Sequence, residues 1–117
     1  MKFEHEVIFC IVNAGFSDLV MDAAKKFGAR GGTVIHARGT ANTEAEKLFG
    51  ITVQPEKEIV MILVPHELKD NILHALYNHA GLETEGQGIA FALPVSSVVG
   101  LSSADKAEKA EAQKTEE

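Results

Sequence analysis

The sequence predicts an α+β domain of the ferredoxin-like kind: a βαββαβ chain forming one four-stranded antiparallel sheet with two helices on one face. Three observations predict it. The chain has 117 residues, one domain's length. Strand-length apolar runs alternate with two amphipathic helical stretches in the order strand, helix, strand, strand, helix, strand. Two βαβ halves with right-handed crossovers then interleave into a single sheet.

The first strand is Glu6-Val7-Ile8-Phe9-Cys10-Ile11-Val12, almost continuously apolar, as in a strand buried on both faces or at an interface. Asn13-Ala14-Gly15 breaks it. Ser17 is the expected N-cap of the first helix, with Asp18 in the first turn where the helix dipole favours a negative charge. Val20, Ala23, Ala24 and Phe27 form its apolar stripe, and Gly28 is the expected left-handed stop. Gly31-Gly32 opens a second strand, Thr33–Arg38. From Gly39 to Gly50 the pattern dissolves into a polar loop, and a loop this long in a small domain is usually functional or mobile. The third strand runs from Lys57 to Val64 and is expected to stop at Pro65. Leu68, Ile72, Ala75, Leu76 and His79 share one side of a second helix that Gly81 ends. A Gly86-Gln87-Gly88 turn leads to a fourth strand, Ile89–Leu93, with a break at Pro94 and a short extra strand expected over Val95–Val99. Residues 1–102 make the domain. The tail, 103–117, is charged, has no large apolar residue, and is expected to be disordered.

Composition narrows the function. No apolar run approaches the ~20 residues that cross a bilayer, and no signal peptide is visible, so a cytoplasmic protein without direct membrane insertion is expected. Cys10, the one cysteine, has no disulfide partner and reads as a small buried hydrophobe. The net charge of −6 speaks against nucleic acid, whose phosphates need a concentrated basic face. Strands this apolar leave the helix-free side of the sheet greasy, and oligomerisation through that side is the simplest remedy.

Three segments resemble the PII signal-transduction proteins, the trimeric nitrogen regulators. The first runs from Phe16-Ser17-Asp18-Leu19 through Phe27-Gly28 to Gly31-Gly32-Thr33-Val34, with Arg38-Gly39 completing it. The second is the apolar strand ending Val64-Pro65 and the helix behind it. The third is Gly86-Gln87-Gly88-Ile89-Ala90-Phe91. The resemblance covers Phe3 to Leu101 and rests on order and spacing together. It implies a homotrimer that binds a small effector, ATP, ADP or AMP, in intersubunit clefts. It also implies that the loop 39–50, a shortened T-loop, docks on a protein target such as a transporter or metabolic enzyme. One wall of the cleft would be Gly31, Gly32, Thr33, Arg38 and Gly39, and the other Gly86, Gln87 and Gly88. Glycines let backbone N–H groups approach an anion. The sequence departs from the family pattern where cations would meet phosphate: the lysine is Ile89, and two arginines fall at Gly100 and Ser102. The T-loop holds no tyrosine, Tyr77 being in the second helix.

The bland readings stand beside these. Either glycine pair also serves as a plain turn, since Gly-x-Gly alone is a weak signal. The five histidines read mainly as solvated or hydrogen-bonded. A second reading is a metal-binding trimer resembling the divalent-cation-tolerance proteins, with His5 or His36 near the metal on neighbouring strands. Glu44, Glu46, Glu56 and Glu58 read as solvated charges. No nucleophile accompanied by a base is visible, so no catalytic residue is assigned and a regulator, not an enzyme, is expected.

Overall fold

The computed structural model describes residues 3–40, 56–82 and 88–101. Its elements are β1 (His5–Asn13), α1 (Ser17–Lys26), β2 (Thr33–Arg38), β3 (Glu56–Pro65), a 3-10 turn (His66–Leu68), α2 (Lys69–His79) and β4 (Gly88–Val95). The strands lie in the order β2-β3-β1-β4, every neighbouring pair antiparallel. This is the expected ferredoxin-like arrangement. The expected loop 39–50 falls outside the described residues beyond Thr40, as does the tail 103–117. Among the described residues, no helix is long and apolar enough to cross a membrane.

Strand alternation assigns the core. Ile8, Cys10 and Val12 of β1 and Val60, Ile62 and Val64 of β3 are fully or almost fully buried. They face Val20, Ala23 and Ala24 of α1 and Ile72, Ala75 and Leu76 of α2. Each fully buried Val, Ile or Leu contributes roughly 1.5–3 kcal/mol. The alternate residues, Val7, Phe9 and Ile11 on β1 and Ile59, Met61 and Leu63 on β3, point to the other side, which no helix covers. Ile35, Ile89, Phe91 and Leu93 extend that side and are all exposed. Phe9 and Phe91 stack across β1 and β4 with ring centroids 5.5 Å apart. The sheet therefore has one covered face and one open apolar face.

Helix α1 ends as its glycine predicts. Gly28 has φ +107°, and the N–H groups of Gly28 and Ala29 donate to the carbonyls of Lys25 and Ala24. This Schellman pattern satisfies carbonyls that the last turn leaves bare.

Several expectations fail for local reasons. Ser17 is the first helical residue and makes no capping bond; its hydroxyl turns to Glu58 instead. Pro94 lies inside β4 rather than breaking it. β4 is an edge strand, where the missing N–H of proline costs nothing if it faces outward. Residues 96–99 form no strand. Pro65 closes β3 from within the strand.

Candidate functional site

The chain leaves α1 at Gly28, buries Ala29, and crosses toward the sheet through Arg30, Gly31 and Gly32. β2 begins only at Thr33, opposite Met61, so Leu63 and Pro65 farther along β3 have no β2 partner. The result is a hollow of about 290 Å³ on the open face, lined by Val7, Gly31, Gly32, Thr33, Met61 and Leu63. Three predicted site residues thus meet in one place.

The two glycines differ in why they are glycine. A Cβ at Gly32 would lie 2.9 Å from the Met61 carbonyl oxygen and 2.9 Å from Met21 Sδ, so Gly32 permits a close backbone crossing. A Cβ at Gly31 would meet nothing within 4 Å, and Gly31 has no positive φ. Neither packing nor conformation demands glycine there, but any side chain at Gly31 would stand at the rim of the hollow.

Arg38 and Gly39 are not part of this hollow. Arg38 pairs with Glu56, five residues along β2 from Thr33, about 17 Å away and on the opposite face. Gly88 is farther still. It pairs with Val12 at the start of β4, the opposite edge of the sheet. Three strand spacings, about 14 Å, separate these edges. Gly88 is also tightly packed: a Cβ there would come within 2.7 Å of the Ile11 carbonyl oxygen and 2.8 Å of Leu82. Gly86 and Gln87 lie outside the described residues. Ile89 is 59% exposed on the open face, and Gly100 is a left-handed turn with φ +86°, so neither brings charge.

At the end of the sheet where the long loop departs, Glu58 is buried, not solvated as its composition suggests. Its carboxylate accepts the Gly15 N–H at 2.6 Å and the Ser17 hydroxyl at 3.4 Å. His36 Nδ1 stands 4.0 Å away on a largely exposed ring. Lys57 Nζ donates to Asn13 Oδ1 at 2.6 Å beside it. These bonds tie the β1–α1 turn to β3. Glu56 is exposed, as expected, and Glu44 and Glu46 lie outside the described residues.

A second buried carboxylate, Glu6, occupies the other end, 2.5 Å from His66 Nδ1 and 3.5 Å from Lys69 Nζ. His5 and His36 are not on neighbouring strands. β3 lies between β1 and β2, His5 pairs with Pro65, and His36 pairs with Glu58, so they occupy opposite ends and faces. Among the described residues, no three His, Cys, Asp or Glu side chains cluster to hold a metal. Burial pushes the Cys10 thiol up to about 11, which makes it a poor nucleophile at neutral pH.

Sequence reasoning missed Val7, Met61 and Leu63 as lining residues. Alternation says only that they share a face; both faces read as apolar, so nothing in the pattern separates core from hollow.

A βαββαβ sheet with helices on one face, an open apolar face on the other and a glycine-flanked hollow defines an α+β domain of the ferredoxin-like class. Its lineage is specific: the chain belongs to the family described as nitrogen regulatory protein P-II, whose profile matches residues 6–105. Among solved structures it is similar to Arabidopsis thaliana PII bound to citrate, with 25% identity, a TM-score of 0.63, and coverage of 86% of this chain and 82% of that one. It is also similar in fold to CPII, a nitrogen regulatory PII-like protein from Thiomonas intermedia K12, bound to ADP, AMP and bicarbonate. There the identity is 14%, the TM-score 0.63, and the coverage 85% and 98%. No curated protein sequence matches it.

Proposed function

We propose that this chain is a homotrimeric regulator that binds an adenine nucleotide between subunits and reports its occupancy to a protein target through the loop 39–50. The observation that carries the reading is the division of the candidate ligand residues between two edges of one sheet. Gly31, Gly32 and Thr33 stand at the β2 edge and Gly88 at the β4 edge. A site that uses both walls needs the β4 edge of a second copy against the β2 edge of the first. The open apolar face supplies the reason for copies to associate.

The hollow suits an aromatic base. Val7, Met61 and Leu63 offer an apolar floor, and Thr33 offers a hydroxyl at its rim. At about 290 Å³ it sits at the lower edge of the ~300–1,000 Å³ typical of small-molecule sites, room for a base more than for a whole nucleotide. Arg38, Gly39, Gly86 and Gln87 belong in this reading to the loop-side wall. The ligand shifts the loop only by its differential affinity for the loop's two states. The reading is of a cytoplasmic regulator and not an enzyme, since it requires no group to react. The divalent-cation reading draws less support, because His5 and His36 lie on opposite faces.

Calorimetric titration with ATP, ADP, AMP and adenosine, beside light scattering for the mass of the assembly, tests both halves. The reading expects saturable heat and three chains per particle. A monomer removes the intersubunit site, and a trimer without heat removes the nucleotide.

A further inference from the structure

Among the described residues two carboxylates are buried, and they bind different things. Glu58 binds main chain, through the Gly15 N–H, and fastens a turn. Glu6 binds side chains. Its Oε2 accepts the His66 Nδ1–H at 2.5 Å and stands 3.5 Å from Lys69 Nζ. Glu6 shares the core-facing register of β1 with Ile8, Cys10 and Val12, where a carboxylate is costly unless it is paired. The turn beside it is fixed by other means. His66 begins the 3-10 turn directly behind Pro65, and its own backbone N–H donates to the Glu4 carbonyl at 2.8 Å. What Glu6 adds is the position of the ring.

That ring is held by one edge and open at the other. The His66 side chain is 51% exposed, against 8% for Glu6. Because Nδ1 faces the buried carboxylate, the exposed half is the opposite edge, which carries Nε2. Among the described residues no other side chain bonds to the ring. An ionised carboxylate only accepts, so Nδ1 holds the proton and Nε2 of the neutral ring keeps its lone pair. A carboxylate that fixes the tautomer and orientation of an imidazole, and faces the charge it acquires, is the partner that reactive histidines use.

We propose that His66 Nε2 is a phosphoryl-acceptor site, with Glu6 as its positioning residue. The site is independent of the nucleotide reading, because His66 lies beyond Pro65, at the end of β3 opposite the loop base at Glu56. The Nε2 lone pair attacks the phosphorus of an activated phosphoryl donor. The N–P bond forms as the bond from phosphorus to the donor's leaving group breaks. With phosphoramidate that group departs as ammonia, its nitrogen already carrying the protons it needs. No proton leaves the ring, which becomes cationic while Nδ1–H stays on Glu6. The carboxylate faces the new positive charge.

Phosphoramidate is the probe. The full chain is incubated with it, and phosphorylated histidines are mapped against time by mass spectrometry. His74 and His79, exposed rings of α2, are references within the same molecule. His66 is expected to react about 10- to 100-fold faster than either, the usual worth of a carboxylate partner to an oriented imidazole. Phosphorus magnetic resonance is expected to show the Nε2 isomer alone at His66. Glu6→Gln, checked for folding by circular dichroism, keeps a hydrogen-bonding side chain and removes the charge. It is expected to bring His66 down to the reference rate, and His66→Gln to remove the fast phase. A His66 rate equal to that of His74 and His79 overturns the proposal, as does phosphorylation at Nδ1. Both readouts use the natural chain and stand even where Glu6→Gln fails to fold. A folded Glu6→Gln with an unchanged His66 rate overturns the assignment of Glu6.

Discussion

The two faces of β1 carry almost the same chemistry and have opposite fates. Ile8, Cys10 and Val12 are sealed beneath α1 and α2, while Val7, Phe9 and Ile11 lie on the open face. Hydrophobicity alone does not decide which side the helices take. The decision comes from the partners in register. On the covered side, Ala90 and Ala92 of β4 are small beside β1, leaving depth for the helices. On the open side, the facing residues are Ile89, Phe91 and Leu93, large and exposed. Small residues beneath the helices and large ones outside make one face a core and leave the other open and apolar.

Charges placed on the two faces separate these roles, with the largest effect expected. Ile8→Asp puts a carboxylate into the dry side and is expected to abolish folding, seen as loss of the far-ultraviolet circular dichroism signal. If the proposed trimer forms through the open face, Phe91→Asp is expected to leave that signal in place and lower the particle mass from three chains to one by light scattering. A folded Ile8→Asp, or a Phe91→Asp that keeps the wild-type mass, breaks the comparison.

The two carboxylates on either side of the loop's return sharpen it next. Glu58 and Glu56 are two residues apart on the same strand, but only Glu58 takes bonds from Gly15 and Ser17. Glu58→Ala removes the charged acceptor of the Gly15 N–H and the Ser17 hydroxyl and is expected to cost about 1.5–3 kcal/mol in urea unfolding. Glu56→Ala, at an exposed position, is expected to stay within about 0.5 kcal/mol.

The glycine pair divides stability from binding. Gly32→Ala drives a methyl group into the Met61 carbonyl and is expected to cost about 1–3 kcal/mol. Gly31→Leu meets open space, so its melting temperature should match the wild type while adenosine binding, measured by calorimetry, disappears. Equal effects of the two substitutions on stability contradict the distinction.

These pairs also mark how far the sequence can be read. Helical spacing and strand-length runs gave the order of elements, and Gly28 gave the end of α1, because those signals are local. Glu58 was misread because its burial is a property of register: it sits opposite Val12 and His36, and no spacing along the chain says so. Ser17 was misread as a cap for the same reason, since a carboxylate from a distant strand competes for its hydroxyl. His5 and His36 were drawn together by assuming a strand order that β3 interrupts. Of the site, the glycines and Thr33 were legible as a motif. The floor of Val7, Met61 and Leu63 was not, because it arises from where β2 starts relative to β3.

Cys10 provides the finest measure of the two faces. Its thiol is raised from 9.0 to about 11 by burial alone, so the folded protein disfavours the thiolate. A folded pKa above the unfolded one contributes stability that is complete below pH 9 and is lost as the pH rises through about 11. The amount is on the order of 3 kcal/mol, from about 1.4 kcal/mol per pKa unit. Cys10→Ala should lower stability at neutral pH by removing packing, but flatten the alkaline part of the stability curve between those values. An added thiol, Ile11→Cys, reports the other face through its rate of alkylation by iodoacetamide. In the Phe91→Asp background it should titrate near its ordinary value, because water reaches the open face of a single chain. In the proposed trimer it should be pushed upward like Cys10, because another copy would make that face a second dry core. Identical titration in both backgrounds means that the open face stays wet, and that the apolar residues of β4 meet no second chain.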